Sequence, residues 1–237
     1  VRADKILANM GYGSRKEVKK LLKKGSFSVN GETVKDGKIH VDPDKDTLEV
    51  FGERLEYKQF IYLMMNKPQG YVSATEDLKE SAVTEILEAE DALYNPFPVG
   101  RLDKDTTGLL LLSNDGKLAH KLTSPKKKVD KTYLVHLDSP VSEEDIDSLE
   151  KGVTLDDGYV TRPAKVERIE GKNADVVRIT IHEGKFHQVK RMFQTRGKKV
   201  IRLKRERIGP LYLDETLDLG TYRELTEDEL QNLINST

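Results

Sequence analysis

The stretch GRLDKDTTGLLLL, residues 100–112, combines a glycine-bracketed polar turn with an apolar run of strand length. Leu109 to Leu112 has the continuous apolar character of a strand buried on both faces. Gly100 and Gly108 bracket the turn before it, Pro98 precedes it, and Thr106 and Thr107 offer hydroxyls that can tie it. Inside the turn Asp103 stands between Arg101 and Lys104, whose charges favour its ionised form. Two readings fit these residues: a carboxylate held charged beside an apolar strand, able to act as a nucleophile, or a turn aspartate paired with arginine.

The remainder of the 237 residues divides into two parts. Ser14 and Glu17 form a capping box that opens a helix, with Val18, Leu21 and Leu22 opposite Lys16, Lys19, Lys20, Lys23 and Lys24. Phe27 and Val29 alternate with polar residues, Asn30-Gly31 is a hairpin turn, and Ile39, Val41, Leu48 and Val50 extend a set of short strands. This predicts a small module of two helices plus short strands over 1–51, a polar linker over 52–59, and a larger domain over 60–237. The larger domain opens with the apolar run Ile61 to Met65, stopped at Asn66-Lys67-Pro68. Helices are expected at Asp115 to Leu122, Ser142 to Lys151, His187 to Arg196 and after the Thr226–Glu229 capping box, where Leu230, Leu233 and Ile234 face the core. Strands are expected at Tyr133 to Leu137, at Val177 to Ile181 and through Val200 to Leu203. Strands grouped with interspersed helices indicate an α+β fold, a mixed and mainly antiparallel sheet flanked by helices.

Composition narrows the chemistry. Cysteine is absent, so disulfides and thiolate metal sites are excluded. The histidines lack metal-ligand spacing, and no Walker loop, nucleophile elbow or complete dinucleotide fingerprint is present, so neither metal nor cofactor is expected. No apolar run approaches the roughly 18 residues of a membrane span, and the first residues lack the apolar core of a secretory signal. A cytoplasmic location follows. With no heptad or unexplained apolar stripe, the expected state is a monomer.

The net charge is only −1, yet cations are segregated. Eight Lys or Arg lie between Arg2 and Lys24 against two acids, and ten lie between Lys185 and Arg207 against Glu206. Each cluster can be a solvated helix surface or a polyanion-binding face. In the second, EGKFHQVKRMF (183–193) mixes aromatics, cations and amides, the set that holds phosphates and unpaired bases.

Four blocks, GRLDKDTTGLLLL, SPKKKVDKTYLV (124–135), EGKFHQVKRMF and LKRERIGPLYL (203–213), occur together and in order. With them the chain resembles the RsuA-type pseudouridine synthases, the branch acting on bacterial small-subunit (16S) ribosomal RNA. RADKILANMGYGSRKEVKKLLKKGSFSVNG (2–31) is similar to the S4 RNA-binding module.

The resemblance implies isomerisation of uridine to pseudouridine after base flipping, with 16S rRNA or a small-subunit assembly intermediate as partner and no cofactor. Asp103 becomes the nucleophile, Tyr133 the tyrosine packed on the base, and Lys190 or its neighbour Arg191 the cation paired with the aspartate. Many relatives carry arginine there, whose planar fork lysine lacks. Arg101 matches the residue that occupies the space of the flipped nucleotide. RNA contacts are expected from Arg2, Lys5, Arg15, Lys16, Lys19, Lys20, Arg101, Phe186, His187, Gln188, Arg191 and Arg205. The competing expectations are a large-subunit target and a non-catalytic assembly factor.

Overall fold

The computed structural model describes residues 1–237, which fold as two compact units. One comprises Val1–Ile61 with Leu87–Pro96, the other Tyr62–Ile86 with Phe97–Thr237.

The first unit packs α1 (Ala3–Asn9) and α2 (Arg15–Lys23) on a sheet of β1 (Phe27–Val29), β2 (Glu32–Thr33), β3 (Leu48–Val50) and β4 (Glu53–Leu55), in the order β2-β1-β3-β4. Helix α2 starts where Ser14 and Glu17 cap each other, the Glu17 carboxylate accepting from Ser14 N at 2.7 Å. Its buried Val18 and Leu22 meet Ile6, Leu7, Phe27 and Leu48 in one core. Asn30 and Gly31 both have positive φ, 52° and 81°, which fits the turn to the right-handed twist of the β1–β2 hairpin.

Two expectations fail here. Residues 52–59 are not a bare linker: Phe51 and Gly52 turn the chain with φ of 53° and 83°, and Glu53–Leu55 pairs with β3. Buried Tyr57 then stacks on Tyr94, 6.2 Å between ring centroids, on a segment that carries α3 (Ala89–Ala92). Ile39 and Val41 form no strand; only an isolated bridge joins Arg2 and His40.

The second unit is built on a nine-stranded sheet. Its strands are β5 (Tyr62–Lys67), β6 (Phe97–Val99), β7 (Thr107–Ser113), β8 (Lys131–Leu137), β9 (Lys165–Arg168), β10 (Val176–Ile181), β11 (Val200–Ile208), β12 (Leu211–Tyr212) and β13 (Tyr222–Glu224). The order is β13-β5-β7-β11-β8-β10-β9, with β6 also on β7 and β12 on β11. Only β7 and β11 run parallel. Helices α4 (Gly116–Thr123), α5 (Glu143–Lys151), α6 (Gln188–Gln194) and α7 (Glu227–Asn235) flank the sheet. Leu109 to Leu112 are fully buried, as an apolar run in a central strand requires. Leu109 and Leu111 join Met64, Leu118, Leu122, Leu211 and Leu233 in one core. In α7 only Leu233 is fully buried, and Ile234, expected inside, is exposed at the surface.

Close approach of β11 to β7 fixes the start of β7. A Cβ on Gly108 would lie 2.2 Å from Arg205 O, and Gly108 has φ of +101°. Glycine alone meets both demands.

Candidate active site

The turn ahead of β7 is held from below by a lysine. Lys67 ends β5 with no exposed surface, and its Nζ donates to the carbonyls of Pro68, Asp103, Lys104 and Thr106 at 3.0–3.2 Å. Burial pulls its pKa down to about 8, with Asp105 and Asp103 opposing. Ser73 Oγ donates to Leu102 O and accepts from Leu102 N, and Gln69 Nε2 donates to Asp105 O. Every carbonyl from Leu102 to Thr106 therefore has a donor, and the loop that carries Asp103 is preorganised. Sequence reading treated Asn66-Lys67-Pro68 only as the end of a strand. A lysine closing an apolar run was the available signal, because an ammonium so placed requires several acceptors.

Asp103 projects from this loop toward α6. Lys190 Nζ lies 3.2 Å from Asp103 Oδ2 and 2.5 Å from Asp105 Oδ1. Burial works against the Lys190 charge, but the hydrogen bond to Asp105 and the Asp103 carboxylate outweigh it and hold its pKa above the ordinary lysine value. Burial likewise pushes the Asp105 carboxyl up, and Lys190 more than reverses that. His187 Nε2 is 3.6 Å from Asp103 Oδ1, beyond hydrogen-bond reach. Of the two candidate cations, Lys190 takes the pair. Arg191, one position and about 100° further round the helix, instead binds Asp156 and Asp157, and its Nη1 donates to Phe186 O.

Asp103, Tyr133, Arg101, Phe186 and His187 line one cleft of about 450 Å³. Tyr133 enters it from β8, between Ile179 of β10 and Arg205 of β11. Phe186, 74% exposed, stacks on the His187 ring at 3.7 Å and offers an aromatic face. His187 can take this position because its backbone is left-handed, φ 47°, at the entry to α6.

Two expected RNA contacts, Gln188 and Arg191, are engaged within the protein, and a third, Arg205, is buried. Gln188 is buried, donating to Glu183 at 2.7 Å and accepting from Lys185 N, so it closes the turn before α6. Arg205 is buried because its place on β11 turns it inward against Leu109 O. Arg191 is committed to its two aspartates. Glu183 organises the cleft wall. Burial raises its pKa, but hydrogen bonds from Tyr159, Arg162 N and Gln188 outweigh that and keep it below the usual carboxylate value.

In the first unit Arg2, Lys5, Arg15 and Lys19 line a groove together with Lys23, Lys35 and Lys38. Arg15, Lys19 and Lys23 fall at four-residue intervals and share one face of α2. Lys16 and Lys20 are exposed but lie on another face and do not line it. Asp4, bound to Arg2, and Asp36 are its acids.

Residues 61–195 match the family model described as RNA pseudouridylate synthase, and residues 1–46 match the S4 domain. An uncharacterized RNA pseudouridine synthase of Bacillus subtilis, YtzG, is 54% identical over 98% of both chains. A ribosomal small subunit pseudouridine synthase A from Yersinia pestis is 41% identical over 98% of both, and a ribosomal large subunit pseudouridine synthase B from Bacillus subtilis is 39% identical over 98% of this chain and 95% of its own. A crystal structure of a pseudouridylate synthase superposes with a TM-score of 0.69 at 37% identity, covering 98% of this chain and 99% of that one. On this similarity along its whole length, the chain belongs to the RNA pseudouridylate synthases and carries an S4 domain ahead of the synthase region.

Proposed function

We propose that the protein converts a uridine of small-subunit ribosomal RNA to pseudouridine, with Asp103 as nucleophile. The Asp103–Lys190 ion pair, 3.2 Å long and set in a cleft that Tyr133 also lines, is the observation that carries this reading. The reaction breaks the N1–C1′ bond, turns the detached base and joins C5 to C1′, so redox state is unchanged. A carboxylate lining the cleft can attack C6 of the base or C1′ of the sugar. Tyr133 is the face on which the base rests and a candidate to take the C5 proton. Arg101 is exposed at the rim, free to occupy the stack that the flipped nucleotide leaves. Flipping costs a few kcal/mol, which phosphate contacts along the S4 groove offset.

Ribosomal RNA as substrate is supported by what relatives of both names are said to act on. The choice of the small subunit rests on EGKFHQVKRMF and RERIGPLYL, since the two kinds of relative differ little in identity. Tritium release from C5-labelled uridine in small-subunit rRNA should be abolished in Asp103→Asn while RNA affinity stays within a few-fold. Mapping pseudouridine in both rRNAs of a deletion strain decides the subunit: a lesion confined to the large subunit overturns the choice.

A further inference from the structure

Arg205 is the largest fully buried side chain, and a guanidinium is not deprotonated in proteins. Its Nε donates to Leu109 O at 2.8 Å, its Nη2 has no partner, and no carboxylate pairs with it. A buried cation with one carbonyl for company is an unfavourable arrangement unless an anion arrives.

The surroundings point the same way. Arg205 lines a second cleft of about 440 Å³ with Arg101, Lys131, Arg162 and Lys185, and Glu183 is its one acid. Glu183 is already occupied by Tyr159, Arg162 N and Gln188. Lys131 is partly buried with only Val129 O as acceptor, 3.2 Å away, and burial together with Arg205 pulls its pKa down. Tyr133 sits opposite Arg205 in the β8–β11 register and lines both clefts, as do Arg101 and Lys185. The second cleft is thus the neighbour of the Asp103 cleft, and Tyr133 borders both.

We propose that the cleft built on Arg205 and Lys131 is a subsite for a backbone phosphate of the RNA substrate, next to the nucleotide whose base enters the Asp103 cleft. The assignment rests on the reading of the protein as an RNA-modifying enzyme. A phosphodiester supplies the anion that Arg205 lacks and links it to the base through the substrate's own backbone.

The test uses a ribosomal RNA fragment that the wild-type enzyme modifies, carrying one neutral methylphosphonate linkage at a time around the target uridine. One linkage should weaken wild-type binding about tenfold. Arg205→Gln and Lys131→Gln should each weaken binding of unmodified RNA by a similar factor and respond no further to that linkage. Lys131 is only partly buried, so its variant keeps the test open if Arg205→Gln does not fold. Absence of any linkage-specific loss, or a loss undiminished in Lys131→Gln, overturns the subsite. If inorganic phosphate raises the wild-type Tm while no linkage matters, the cleft takes a free anion and the proposal fails. A wild-type enzyme forming no pseudouridine in ribosomal RNA overturns the reading of function, and this subsite with it. Modification without a linkage effect overturns the subsite alone.

Discussion

Lys190 holds Asp103 from helix α6, its Nζ 3.2 Å from Oδ2, and the same ammonium is closer still to Asp105. One cation thus bridges two carboxylates of one loop, and the exposed Asp105 competes for it. Lys190→Met should lower the single-turnover rate about 100-fold or more, the scale of losing one preorganised electrostatic partner. Lys190→Arg keeps the charge and should retain the rate within about tenfold. Asp105→Asn frees Lys190 for Asp103 and should leave the rate within a few-fold. Rapid-quench measurement of pseudouridine formation at saturating enzyme checks all three, and a Lys190→Met enzyme at wild-type rate removes the ion pair from the chemistry.

Lys67 joins stability to the geometry of the turn that carries Asp103. Lys67→Met leaves the carbonyls of Asp103, Lys104 and Thr106 short of donors, at a cost of about 3–5 kcal/mol, typical of breaking a buried polar cluster. Its folded pKa of about 8 lies below the ordinary 10.5, so between those pH values the unfolded chain binds a proton that the folded chain has lost. This group's contribution to stability therefore rises with pH across that window. Urea unfolding at pH 8 and pH 10 should show the rise in the wild type and a smaller one in Lys67→Met. Equal slopes would assign the pH dependence to other groups.

These two lysines also mark how far the sequence could be read. The Asp103–Lys190 pair was partly legible because the motif blocks held both residues, but only the fold separates Lys190 from Arg191, which turns to Asp156 and Asp157. Lys67 was not legible, since three of its four acceptors lie 36 to 39 residues away and only the folded loop gathers them. The burial of Arg205 and Gln188 was not legible for one reason: a basic segment shows its composition but not which side chains turn inward. The hairpin at Phe51-Gly52 escaped notice because it lacks the Asn-Gly signal that revealed the one at Asn30-Gly31. Attachment of Leu87–Pro96 to the first unit depends on contacts such as Tyr57 on Tyr94, which no local pattern encodes.

Gly108 tests whether the parallel β7–β11 contact positions the site. Gly108→Ala places a methyl 2.2 Å from Arg205 O at a φ of +101°, so steric overlap and backbone strain add. Each is of order 1–3 kcal/mol, and the variant should lose about 3 kcal/mol or more by denaturant unfolding. Because the same contact sets the start of the Asp103 loop, its activity should fall even under conditions where it is fully folded. A stable, active Gly108→Ala would show that β7 and β11 can separate without consequence.

Helix α2 carries both cations that line the S4 groove and cations that do not. Arg15, Lys19 and Lys23 line the groove, whereas Lys16 and Lys20 lie on another face of the same helix. Counterion release makes log Kd depend on log salt with a slope near 0.7 per phosphate contacted on single-stranded RNA. The double variant Arg15→Gln/Lys19→Gln should therefore flatten the slope by about 1.4 and weaken binding about equally across RNA sequences. Lys16→Gln/Lys20→Gln removes the same formal charge from the same helix and should change the slope little, so any difference between the two pairs reflects position. Fluorescence anisotropy titrations between low and physiological salt measure both. Equal flattening by the two pairs would mean that the helix acts as a diffuse cation and that the groove has no privileged role.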